Sequence, residues 1–364
     1  MLGGSTSFSE WQGKRPEVFL LNPLLDSRWS EFIRHHPNAS IFHSVGWLRS
    51  LQDTYGYQPR VITTSQPGDP LSNGIVFCHV KSWVTGSRLV SLPFSDHCEP
   101  LLSGEPHELK LLTDGLRKMV RKNNLNYIEV RPLRPIGDGL EKMGHFERHY
   151  SHCIHQLALD REFDQLFKTF HKSCVQRNIR KAERFGLTYE VGHSADLLAK
   201  FYKLFLGARR RHRVPPQSVR WFRNLSRYLA DQIEFRVVSS DNEPVAAIVT
   251  CQYRDTVVYK YGCSNVEANK LGGVSLLLWR AIQDAKLGGA LRFDFGRSDI
   301  TNDGLITFKD HWGSVRSPLP YFRYSTKAER LESRWGQWVL GKSCEILPDS
   351  LLESLGSVLY KHAG

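Results

Sequence analysis

The chain has 364 residues, a net charge of +12, and 41% hydrophobic and 24% charged residues. That composition is typical of soluble globular domains and excludes a disordered or fibrous polypeptide. No apolar run approaches the ~20 residues of a membrane span, and MLGGSTSFSEWQGKRPEV lacks the apolar centre of a signal peptide, so a cytoplasmic location is expected.

The basic residues are clustered, which suits an anionic partner: phosphate, nucleotide, RNA or an acidic membrane surface. The seven cysteines form no CxxC pair, as expected of inert thiols in a reducing compartment.

SRWSEFIRHHP (27–37) reads as a helix with Trp29, Phe32 and Ile33 on its apolar face, ended by Pro37. IFHSVGWLRSLQDTYG (41–56) starts extended and turns helical, with Trp47, Leu48 and Leu51 at helical spacing. PRVITT (59–64), GIVFCHVKS (74–82) and SRLVSLPF (87–94) read as strands. A helix over 105–124, with Leu109, Leu112, Leu116, Met119 and Val120 inward, leads to a strand over 126–132.

The stretch 161–230 is helical and rich in Arg and Lys. In its first helix Arg177, Arg180, Lys181 and Arg184 share one face, while Phe163, Leu166, Phe167 and Phe170 lie on the other. A solvated face is the usual meaning of such charge, but only Glu183 opposes it, and ARRRHRVPP (208–216) adds further arginines. Together they suit a pyrophosphate or a tRNA backbone.

The order β-β-β-α-β then recurs: strands 234–240, 244–253 and 256–262, a helix 271–289, and a strand 290–298. Leu271-Gly272-Gly273 opens that helix, and glycines there either let backbone N–H groups hold a donor phosphate or make a tight start. A helical tail over 327–364 carries Trp335, Trp338, Val339, Leu340, Leu347, Leu351, Leu352, Leu355 and Leu359. It packs on the second unit or rests on a membrane surface.

The last strand runs into FDFGRSDITNDGLITFKDHWG (293–313). Lys309, between Phe308 and Trp312, is either a surface lysine in a loop or a fixed cation at a strand-end cleft, offsetting charge on an oxyanion or phosphate. Asp294 points opposite to Phe293 and Phe295 and is a structural hydrogen-bond acceptor or a catalytic carboxylate, with Arg297 its ion-pair partner or a phosphate ligand; both, with Asn302, are candidate substrate-binding residues. Asn302 with Gly304 reads as turn chemistry. Asp96, in LPFSDHCEP after a strand, is a base toward an amine or a loop cap. His97, Cys98 and Glu99 are too close in sequence to share an ion, so no metal is expected. No GxSxG or Cys/His motif occurs, which disfavours a covalent intermediate.

The repeat and this stretch resemble the doubled form of the GNAT superfamily, the FemABX aminoacyltransferases and BioF-like acetyltransferases, over roughly residues 15–325. FDFGRS, then GL, then FKDHWG is similar to that family's pattern near its end. IFHSVGWLRSLQDTYGYQP is similar to its early F-x-x-x-x-W helix, and FHKSCVQRNIRKAERFGLTYEV to its basic helix and following strand. The stretch 195–230 is too short for the long helical arm of some Fem proteins, so the likeness is greater to Fem-like proteins of exopolysaccharide systems.

The resemblance implies an α/β (α+β) fold of tandem GNAT-like units, each a mixed sheet flanked by helices: 15–150, 151–326 with a basic helical insert, and the tail 327–364. It implies acyl or aminoacyl transfer to an amine of a cell-envelope precursor, a peptidoglycan peptide or an amino sugar. Acyl-CoA or aminoacyl-tRNA would be co-substrate, with no tightly bound cofactor and tRNA among the candidate partners. It places Lys309 near the transferred group and Asp96 at the acceptor. Arg177 and Arg180 would hold phosphate, and Tyr261, Phe308 and Trp312 would shape the cleft. Transfer of an acyl group from CoA to another small amine, and a non-catalytic RNA- or polysaccharide-binding protein, remain the other readings.

Overall fold

The structure is a computed structural model and describes residues 17–83, 86–105, 107–134, 146–266, 270–326 and 348–363. It begins with β1 (Phe19–Leu21), α1 (Ser27–His35), α2 (Val45–Tyr55), β2 (Gln58–Thr63), β3 (Ile75–Ser82), β4 (Gly86–Ser91), α3 (Glu108–Lys122) and β5 (Tyr127–Val130). Local chemistry sets these ends. The Ser44 side chain accepts the Trp47 N–H to start α2, and Gly56, at φ 75°, stops it.

Next come β6 (Glu147–Ala158), α4 (Phe163–Thr169), a π-helical turn (Lys172–Gln176), α5 (Arg177–Arg184), β7 (Thr188–Gly192), α6 (Ala195–Arg211) and α7 (Val219–Leu229). The basic segment expected as one helix is therefore broken. Phe170 is extended, and the turn after it accepts two N–H groups on the His171 carbonyl. β8 (Ile233–Ser240), β9 (Glu243–Tyr253), β10 (Thr256–Ser264), α8 (Gly273–Leu287) and β11 (Arg292–Asp299) complete the second β-β-β-α-β run. The β8–β9 hairpin turns through Asp241 and Asn242, both at positive φ, as such turns require.

The polar loop expected after β11 is instead a helix, α9 (Asp303–Asp310), followed by β12 (Val315–Ser325) and, further on, α10 (Asp349–Ala363). The tail residues Trp335, Trp338, Val339, Leu340 and Leu347 lie outside the described residues. On α10, Leu352 is buried and Leu351 exposed.

Among the described residues, twelve strands join one mixed sheet, ordered β1-β2-β3-β4-β5-β12-β6-β11-β10-β9-β8-β7. β6 and β12 have no counterpart in the sequence reading, and they fuse the two runs. β12 pairs antiparallel with both β5 and β6, and β6 pairs with β11. One apolar core holds α1, α2, α6 and α7 between residues of β2–β4 and β8–β10, so both halves bury their inner faces against the same helices. α3 covers the outer face of the first half. α4, α5 and α8 cover that of the second.

Candidate active site

β10 and β11 run parallel and pair at Thr256–Arg292, Val257–Phe293 and Val258–Asp294. Beyond this point β10 shifts register against β9 between Tyr259 and Tyr261, and β11 shifts against β6 between Asp294 and Arg297. The strands part, and a cavity of about 450 Å³ opens at their carboxyl ends. Gly296 lies at the fork with φ 71°. A Cβ there would stand 3.1 Å from Asp96 Oδ2 and 3.2 Å from the Tyr259 carbonyl, so only glycine fits without displacement.

Lys309 reaches this cavity from α9 and is 3% exposed. Its Nζ donates to the carbonyls of Gly296 at 2.7 Å and Arg297 at 3.0 Å. An ammonium has three N–H groups, so one is left for a ligand. Burial pulls its pKa down to about 8, with Asp96 and Asp294 opposing the fall. Asn302 positions the helix. Its Oδ1 accepts the Leu305 N–H at 3.1 Å, so this side chain is an N-cap on the helix carrying Lys309.

Asp96 enters from the loop after β4. Lys260 Nζ donates to its Oδ1 at 2.7 Å, and Arg297 Nε lies 4.0 Å from the same oxygen. Burial raises the carboxyl pKa, but Lys260 and Arg297 outweigh it and hold it below the usual range. The Lys260 ammonium also sits 5.3 Å from the Phe42 ring centroid and 5.8 Å from that of Trp47. Tyr321, on β12, donates to the Asp96 carbonyl at 2.6 Å and accepts from Arg297 Nη1 at 2.7 Å. Tyr261 lines the cavity wall, and its hydroxyl accepts the Trp221 indole N–H.

Asp294 faces a second cavity, of about 740 Å³, shared with His97 and Gln156. Arg297 is not its ion-pair partner, because the β11 bulge separates them. Asp294 instead accepts Gln156 Nε2 at 3.0 Å and the Gly296 N–H at 2.7 Å. Burial pushes its pKa up to about 6. Beside it, burial pulls the His97 pKa down to about 4. The neighbouring Glu99 accepts the N–H groups of Leu133 and Arg134 and does not converge on Cys98, which contacts His43.

Trp312 and Phe308 do not line the first cavity. Trp312 is fully buried against Phe170 and Phe295, with Phe308 at its edge. It props β11 from behind. Arg177 and Arg180 are exposed on α5 and line neither cavity. The arginines lining the first cavity are Arg297 of β11 and Arg209 and Arg211 of α6. Gly272 and Gly273 are closely packed. A Cβ on Gly272, at φ 78°, would lie 2.4 Å from the Asn178 carbonyl, and one on Gly273 would lie 3.0 Å from Val238 Cγ2.

Lys260, Tyr321 and Gln156 were not singled out from sequence. Lys260 had a legible signal, a lone cation in the buried run TVVYKYG. Tyr321 and Gln156 had none, since they sit on β12 and β6.

Residues 170–309 match the family model of the acetyltransferase (GNAT) domain, so the split strands and Lys309 lie inside that domain. The described residues have the fold of tandem GNAT proteins. FemX superposes with a TM-score of 0.69 at 15% identity, covering 89% of this chain and 100% of that one. L-PGS from Bacillus licheniformis superposes at 0.55 with 15% identity over 93% of this chain and 100% of that one. A tandem GNAT protein from the clavulanic acid biosynthesis pathway does so at 0.54 with 12% identity, over 86% and 100%. No curated protein matches the sequence.

Proposed function

We propose that this protein is an N-acyltransferase that moves an aminoacyl or acyl group from an activated donor to an amine of a cell-envelope precursor. The observation that carries the proposal is the meeting of Lys309, Lys260 and Asp96 at the fork of β10 and β11: the two lysines lie inside the residues that match the acetyltransferase domain, and Asp96 comes from the first half. The likeness to FemX and L-PGS supports the aminoacyl form. Residues 15–150 and 151–326 are taken as the two GNAT-like units, with β12 closing the sheet between them.

The acceptor amine attacks the donor carbonyl carbon, a C–N bond forms, and the oxygen gains negative charge. The remaining N–H of Lys309 faces that oxyanion from a site with little water, where a fixed cation acts strongly. Asp96 is a poor base because Lys260 holds its charge, so it orients the amine through its second oxygen. The oxyanion then re-forms the carbonyl and expels a ribose alkoxide or a thiolate, which takes up the proton lost by the amine and leaves as the hydroxyl or thiol. Arg211, which lines the cavity, would meet donor or acceptor phosphate, while the Arg209 guanidinium is held by the Pro215 carbonyl and the Tyr360 hydroxyl.

Thermal shift against acyl-CoAs, charged and uncharged tRNA, and UDP-linked wall precursors tests the donor and acceptor, since a ligand stabilises the state it binds. Stabilisation by charged tRNA or a wall precursor supports the aminoacyl form. Stabilisation by acyl-CoA alone supports the acyl form with an amino-sugar acceptor. Loss of binding in Arg177→Ala/Arg180→Ala, with full cellular function in Lys309→Met, would make the protein a non-catalytic binder.

A further inference from the structure

At the end of α9, three metal-ligand side chains from two distant parts of the sequence meet, two of them exposed and one half-buried. They are His171 and Cys174, around the π-helical turn, and His311, the residue after α9. The ligand atoms they offer all lie within 4.8 Å of one another. The backbone brings them together: the His171 N–H donates to the His311 carbonyl at 2.8 Å, and the two imidazole rings lie 4.3 Å apart at 38°. The following turn is clamped too. Gly313, at φ 66°, packs so closely on Thr169 that a Cβ would stand 2.6 Å from its Oγ1.

Among the described residues, His171, Cys174 and His311 form no ion pair, and the other described cysteines are buried while Cys174 is exposed. Two imidazoles in tilted contact beside a thiol form a nitrogen–sulfur donor set. Such a set discriminates against Ca²⁺ and Mg²⁺ and takes a borderline-soft divalent ion.

We propose that His171, Cys174 and His311 form a zinc-class site with three protein ligands and one open position. Tetrahedral Zn–N and Zn–S bonds of about 2.0 and 2.3 Å set neighbouring ligand atoms roughly 3.5 Å apart, so rotamer adjustments of about an ångström close the site. His171 Nδ1 now accepts the Cys174 N–H at 3.2 Å, and Ser173 Oγ lies 3.3 Å from the same nitrogen. Ligation through Nε2 puts the proton on Nδ1, where Ser173 Oγ accepts it and orients the ring as outer ligands do. The Cys174 N–H gives up its cap, and the thiol gives up its proton to solvent.

The bound ion would tie the turn before α5 to the end of α9, the helix that carries Lys309. It would act as a staple on the wall of the split-strand cavity, without touching the reacting atoms.

The test uses the untagged full chain, stripped with chelator and titrated with Zn²⁺ against a chromophoric competitor, and with Co²⁺ for its spectrum. Removing even an outer ligand costs 10–100-fold in affinity, so losing a direct ligand should cost at least about 100-fold. The expected result is one Zn²⁺ per chain, a thiolate-to-cobalt charge-transfer band, and a Zn²⁺-dependent rise in Tm. All three should be lost in Cys174→Ser and in His311→Ala, with no response to Mg²⁺. His171 and Cys174 are exposed and His311 is half-buried, so Cys174→Ser keeps the metal-free Tm and His311→Ala stays close to it. Zn²⁺ binding of equal strength in both variants, or a Co²⁺ spectrum without the thiolate band, would overturn the proposal.

Discussion

Lys260 Nζ lies 2.7 Å from Asp96 Oδ1, and this contact joins a strand of the second half to a loop of the first. Both side chains are about nine-tenths buried, with side-chain exposures of 8% and 10%. Breaking a buried pair from one side leaves an uncompensated charge and costs about 3–5 kcal/mol. Lys260→Met and Asp96→Asn should each destabilise on that scale, and the double variant should lose less than their sum. Denaturant unfolding of the four proteins measures this coupling. Strict additivity would mean that the ion pair does not hold the halves together.

Asp294 titrates against its burial. Its folded pKa, about 6, lies above its ordinary value of 3.8. The folded state therefore binds more protons between these values, and stability falls as pH rises through that window. Each tenfold change in proton affinity is worth about 1.4 kcal/mol, so keeping the group ionised above pH 6 costs about 3 kcal/mol. In Asp294→Asn this fall should disappear, with the Gln156 amide turning to meet the new amide. Unfolding free energies at a series of pH values from 4 to 7 check it.

Glu129 predicts the opposite sign. Arg131 and Arg323 hold its carboxylate at 2.7 Å each, and they outweigh burial to bring its pKa down to about 2. The stabilisation is present above the ordinary value of 4.5 and is lost as pH falls from there through 2. Glu129→Gln should abolish that acid-limb dependence. Because Arg323 belongs to β12, the same variant should loosen β12 from β5, seen as faster amide exchange along both strands.

Gly272 tests packing against phosphate binding. An alanine there is strained at φ 78° and meets the Asn178 carbonyl at 2.4 Å. Strain of this kind costs about 1–3 kcal/mol, and the clash adds to it. Gly272→Ala should lower Tm without ligand present. An unchanged Tm together with lost acyl-CoA binding would assign the glycine to the donor instead.

Much of the fold was legible because each β-β-β-α-β run writes its own pattern. Leu112 and Leu116 on α3, or Leu277, Leu278 and Ala281 on α8, repeat at helical spacing and are buried. β6 and β12 were not legible. ERHYSHCIHQLA and VRSPLPYFRYS carry His, Arg and Pro where a strand pattern wants Val or Ile. What makes them strands is pairing with each other, a contact between distant segments. The site divides the same way. Lys309 and Asp96 stood in local motifs, whereas Trp312, read as a cleft residue, is held in the core by Phe170, more than a hundred positions away. Arg297 looked adjacent to Asp294 along the strand, but the bulge at Gly296 turned it toward Tyr321.

Everything proposed for the site turns on Lys309 acting on the charge formed during transfer. Its role is measured by following a labelled group from aminoacyl-tRNA or acyl-CoA to a UDP-linked wall precursor or an amino sugar, with the wild type and with Lys309→Met. Loss of one oxyanion donor costs about 10²–10³ in kcat. Lys309→Met should lose activity by that factor, with KM little changed and the fold intact. Equal transfer rates for the two proteins would contradict a role for Lys309 in the reaction.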